Sequence, residues 1–136
     1  MSDRILARYL DPKARTEAPA DEQETADDLG AFGWLRGIRD RAIMLELRHR
    51  NGMISAFAYS WLERAEFDPS DGITLQFAGK TVRIAGRNLN SESRPNMRLF
   101  AGIVRHRVPW IQEADGPTAL IAEKTATVVE ELHVKG

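Results

Sequence analysis

The residues in this chain with the clearest chemical potential are arginines. Arg94, Arg98 and Arg105 recur at a spacing that brings them within about 40° of one another on a helix, at 100° per residue. Arg83 and Arg87 lie on an alternating segment, facing away from Val82 and Ile84. Guanidinium groups bind phosphate and carboxylate through a planar fork of donors, so the set Arg83, Arg87, Arg94, Arg98 and Arg105 is a candidate contact for an anion or a nucleic acid. The competing reading is a solvated face balanced by carboxylates. Arg107 falls in the apolar arc of the same helix, and with His106 and Trp110 nearby it marks either a small pocket at His106 and Arg107 or a structural ion pair. Trp34, Trp61 and Trp110 are the candidate anchors for a protein partner, since tryptophan concentrates binding energy at interfaces.

Other chemistries find little in the residues. The sequence has no cysteine, and His49, His106 and His133 share no ligand spacing with each other or with carboxylates, so we expect no metal. No serine stands in a G-x-S-x-G context, and Gly30, Gly33 and Gly37 do not follow a strand as a phosphate loop requires. We therefore expect neither a cofactor nor catalysis.

Charge is unevenly distributed. Residues 1–33 carry 4 basic and 8 acidic groups, residues 34–110 carry 13 and 7, and residues 111–136 carry 2 and 5, giving −4, +6 and −3, which sum to the net −1. The cationic middle also holds most of the aromatic residues, so core and positive charge share one segment. A length of 136 residues suits one ordinary domain. The longest apolar run, Met53 to Leu62, is too short to span a bilayer, and the first residues are charged, so a soluble, cytoplasmic protein with no membrane contact is expected.

The elements that must position these side chains follow from periodicity. Residues 1–28 read as an acidic flexible extension, with a short helix over Arg4–Leu10 capped by Asp3. Leu29–Asp40 has near-helical apolar spacing weakened by three glycines, a weak helix or ordered loop. From Arg41 the period becomes two: Ile43, Leu45 and Leu47 predict an inward strand face, and Asn51-Gly52 predicts a hairpin into a return strand over Met53–Tyr59. A bend at Trp61 and Leu62 leads to strands at Glu63–Phe67, at Ile73–Phe77 and around Val82 and Ile84. Pro95 to Val108 repeats apolar residues at helical spacing. The expected fold is α+β: a five-strand antiparallel meander, as an open sheet or small barrel, packed by this one helix within a domain of residues 29–115. Residues 116–136 form a final strand or helix, with the β-branched residues from Thr125 favouring a strand.

The segment Val82-Arg83-Ile84-Ala85-Gly86-Arg87-Asn88-Leu89 resembles the last strands of the Sm-like RNA-binding barrels, which carry an apolar-Arg-Gly-x-x-apolar element. Ala85 stands where that family has arginine, and Tyr59–Phe67 lacks its Asp-x-x-Met-Asn base-contact element, so no function carries over. The functional expectation is a non-catalytic binding or adaptor module, acting on a protein partner or by self-association. The alternative is a nucleic-acid-binding protein using the arginine surface.

Overall fold

A computed structural model describes residues 26–136. The helix expected over Arg4–Leu10 and the extension up to residue 25 lie outside the described residues. Ala26–Asp28 (β1), expected to belong to that extension, instead pairs antiparallel with Gly33–Leu35 (β2). Gly30 takes a φ of +89° at the turn, and its N–H is held by the Asp28 carboxylate. No helix forms over 29–40; the glycines and a buried Trp34 favour this hairpin and the loop after it.

The expected strands are present, but not as one meander. Met44–Arg48 (β3) and Ile54–Ala58 (β4) form a hairpin, and Trp110–Gln112 (β10) joins β3 in parallel, giving a three-stranded sheet in the order β10-β3-β4. Leu62–Asp68 (β5), Gly72–Phe77 (β6) and Lys80–Arg87 (β7) run antiparallel in a second sheet, which the closing strand Val128–Lys135 (β11) extends to β11-β7-β6-β5. Neither sheet closes on itself. The break falls at a 3-10 turn over Tyr59–Trp61, where the chain leaves one sheet for the other. Tyr59 fixes that corner: its ring is buried and its hydroxyl donates to the Val108 carbonyl at 2.7 Å. Burial pushes the phenol pKa upward, so this group stays a neutral donor. Tyr59→Phe keeps the ring and removes the donor, leaving the Val108 carbonyl unpaired; we expect a loss of about 1–2 kcal/mol in urea unfolding.

The sheets share one core. Leu45 and Leu47 from β3 meet Ile73, Leu75 and Phe77 from β6 and Val82 and Ile84 from β7, and Phe57 stacks on Phe77 with ring centroids 5.0 Å apart. Ile43, expected on the inward face, precedes β3 at a bend and is 81% exposed.

The helix is shorter than its apolar spacing predicts. Arg94-Pro95-Asn96-Met97 is a turn between Glu92–Arg94 (β8) and Met97–Arg98 (β9), with Asn96 at φ +65°, and only Leu99–Val104 (α1) is helical. Proline followed by a residue able to take positive φ suits a tight turn better than a helix start. At the other end His106 sits at φ +60°, its N–H donating to Ile103 O while Arg107 N–H reaches back to Gly102 O. That pair of bonds is a left-handed helix cap and stops α1. The tail supplies both expected elements, Gly116–Ile121 (α2), capped by the Asp115 side chain at Thr118 N, and then β11.

Candidate interaction surface

The outer face of the β10-β3-β4 sheet carries the side chains that alternation turns away from Leu45, Leu47 and Phe57. These are Met44, Glu46 and Arg48 on β3, Ile54, Ala56 and Ala58 on β4, and Trp110 and Gln112 on β10. Arg48 lies over the Trp110 ring, its guanidinium carbon 4.5 Å from the centroid, with its Nε 3.1 Å from a Glu46 oxygen. The cation and indole thus make one flat, ordered patch on the β10 side. Toward β4 the patch turns apolar: Met44 is 42% exposed and Ile54 59% exposed, while Met53, in the turn before β4, is exposed as well. From Met53 to Leu62 no residue carries a charge.

Backbone polarity strengthens this surface. His49 N donates to Met53 O and Tyr59 N to Ile43 O, which fixes the phase of β4 against β3. In an antiparallel strand the amide and carbonyl of one residue point the same way and the next pair points opposite. Met53, Ser55, Phe57 and Tyr59 therefore address β3, while Ile54, Ala56 and Ala58 present their N–H and C=O groups outward. Among the described residues no strand pairs with them, and of these groups the Ala58 carbonyl is engaged, as the acceptor that opens the 3-10 turn over Tyr59–Trp61.

The candidate anchors separate. Trp34 is buried, packed edge-on to Phe32 and close against Gly102 of α1, so its ring belongs to the core and is not a surface anchor. Trp110 is half-buried beneath Arg48. Trp61 is 62% exposed at the corner that follows β4.

The arginine stripe does not form, because no helix spans residues 94–105. Arg94 and Arg98 lie on the β8–β9 hairpin and Arg105 at the end of α1. Several of the group are held by carboxylates: Arg83 by Asp71 at 3.4 Å, Arg87 by Glu130 at 3.2 Å, and Arg98 by Glu92 at 3.7 Å. Arg87 also donates to Ala119 O at 2.6 Å, which ties α2 to β7. Arg94 and Arg105 are exposed.

At the proposed pocket the two residues take different partners. The Arg107 guanidinium donates to the carbonyls of Leu35, Gly37, Ile38 and Asp40, so it pins the irregular loop after β2 in place of an ion-pair partner. His106 stacks on Tyr59, centroids 4.4 Å apart. Elsewhere a cleft of about 440 Å³ runs between the β5–β6 turn and the segment after β7, bordered by Phe67, Asp71, Asn88 and Asn90. Asn90 Oδ1 is buried there without a hydrogen-bond partner among the described residues. No cluster of metal-binding side chains occurs among the described residues, and none of their helices is long and apolar enough to cross a membrane.

Glu113, which the sequence did not single out, is the buried carboxylate of this region. Its oxygens accept from Arg50 N and Leu132 N, both at 2.9 Å, with the Arg50 guanidinium at 3.5 Å. Burial raises its pKa, but the two backbone donors and the charges of Arg50 and His49 outweigh that and hold the carboxyl below its ordinary range. Glu113 thereby ties the β3–β4 turn to β11, joining the two sheets. The nearby His49 Nε2 and Ser55 Oγ are 3.5 Å apart, while the Glu113 oxygens accept from the backbone amides of Arg50 and Leu132.

No protein-family model, curated protein or solved structure matches this chain.

Proposed function

We propose that this protein is a non-catalytic interaction module that binds a protein partner through the outer face and open edge of the β10-β3-β4 sheet. The observation that carries this reading is the uncharged β4: its Ile54 side chain is exposed on the outer face, and the outward amides and carbonyls of Ile54 and Ala56 are unpaired among the described residues. A sheet edge of that kind recruits another strand, with main-chain bonds supplying affinity and alternate side chains supplying selectivity. The stacked Arg48–Trp110 pair beside it offers a rigid rim for a polar contact.

The test is position-specific photocrosslinking. A photoreactive phenylalanine replaces Ile54 on this face or Gln76 on the other sheet, and each full-length protein is irradiated in an extract of its own cells. Discrete adducts from position 54 and none from position 76, identified by peptide mass spectrometry, are expected. No adduct from position 54, or the same adducts from both positions, sinks the proposal.

A further inference from the structure

We infer that β4 pairs with β4 of a second copy of this chain, antiparallel about a two-fold axis at Ala56, making one continuous sheet in the order β10-β3-β4-β4-β3-β10. This inference rests on the interaction-module reading and names its partner.

The edges of the two larger sheets argue for it by contrast. The β10 edge is covered, since Phe32 bridges to Ile111 and Gln112 N donates to Ala31 O. The β11 edge is partly capped by Glu113, which takes Leu132 N, and by Ala114 N on Val129 O, and it carries Glu130, Glu131 and Lys135. The β5 edge is guarded by Glu63, Arg64, Glu66 and Asp68. Charges and covering segments are how sheet edges avoid joining other strands. Only the β4 edge of these two sheets has neither among the described residues.

Self-pairing also fits the side chains. A two-fold axis at Ala56 sets Ile54 opposite the partner's Ala58, Ala56 opposite the partner's Ala56, and Ala58 opposite the partner's Ile54. On the inner face Phe57 meets the partner's Ser55. Each large side chain meets a small one, and no charge faces a like charge. Because the outward backbone groups belong to residues 54, 56 and 58, all three facing pairs are of the hydrogen-bonded type, about four bonds in total with the Ala58 carbonyls left to the 3-10 turn. Glu46 of each copy lies one strand behind Ala56 on the outer face, so the two carboxylates stand about 14 Å apart and repel little. A closed two-fold contact of this kind stops at two copies.

A single-strand contact is small, so the dimer is expected to dissociate on the order of 10 μM. Sedimentation velocity of the full chain across that range gives the dimer fraction directly. Ala56→Lys or Ala56→Glu places like charges face to face at the axis, and each variant, its fold checked by circular dichroism, is expected to bind itself at least about 30-fold more weakly. An equimolar mixture of the two is expected to restore a dimer, seen by native mass spectrometry as a species containing one chain of each. Gln76→Lys, on the outer face of the other sheet, leaves the dimer intact.

A wild-type chain that stays monomeric up to about 300 μM, a dimer indifferent to Ala56→Lys, or a mixture that fails to pair overturns the inference. If the chain is monomeric while position 54 still crosslinks to a different protein, self-pairing falls and the interaction-module reading stands. If position 54 crosslinks to nothing, both fall.

Discussion

Replacing Glu113 with alanine is expected to cost about 3–4 kcal/mol of unfolding free energy, because the change strands polar groups that folding has already removed from water. The Leu132 amide is buried, and only a Glu113 oxygen accepts its proton across a span of 19 residues. The Arg50 amide loses its acceptor too, and the Arg50 side chain keeps only its 3.2 Å bond to Ala114 O. The exposed ion pair at 3.5 Å contributes least, since one partner is half in water; the backbone donors decide the size of the effect.

Acid should act on the same group in a defined direction. The folded pKa of Glu113 is depressed, so its contribution is fully present above the carboxyl pKa of the unfolded chain and is lost as pH falls through the folded value. Glu113→Gln retains the shape but offers one acceptor oxygen and no charge, so it is expected to be less stable than the wild type at pH 7, with the gap narrowing on the acid side. Urea unfolding of both proteins between pH 7 and pH 3 measures that gap. A gap that stays constant across the range would show that the Glu113 charge contributes nothing.

The strand set was legible because its signals are local. Alternation at Leu45 and Leu47, the Asn51-Gly52 turn and the inward pair Val82 and Ile84 each require only a few neighbouring residues, and each is found where expected. The assignment of strands to sheets was not legible, because it depends on Trp110–Gln112 joining β3 from more than 60 residues away and on Tyr59 reaching Val108. The apolar spacing from Pro95 to Val108 misled for a related reason: in a short span a strand hairpin followed by one helical turn can bury the same residues, and Asn96 and His106 at positive φ were the decisive local features. The candidate surface was half visible. The uncharged run from Met53 to Leu62 stood out in the sequence, but its meaning rests on β4 being an edge, which only pairing reveals. Glu113 gave no signal, since a lone glutamate near a charged tail looks like any solvated carboxylate until the fold buries it.

Gly102→Ala is expected to destabilise the protein by about 2 kcal/mol, although helix propensity alone predicts the opposite sign. In a helix alanine is favoured over glycine by about 1 kcal/mol. A Cβ at Gly102, however, falls 2.5 Å from Trp34 Cζ3 and 2.7 Å from Val108 Cγ2, distances that require one of them to move. Neither has room: Trp34 is enclosed with Phe32 against it, and Val108 is fully buried beside the carbonyl that Tyr59 holds. Overpacking a filled core costs about 1–3 kcal/mol, and any shift of the indole also disturbs Arg107, whose guanidinium carbon is 5.7 Å from the ring centroid and whose donors pin the loop after β2. Thermal melts should therefore place Gly102→Ala below the wild type by roughly 6 °C for a domain of this size. A melting temperature for Gly102→Ala at or above that of the wild type would mean that the Trp34 ring yields freely, and that the close approach of helix and indole is not what sets the position of α1.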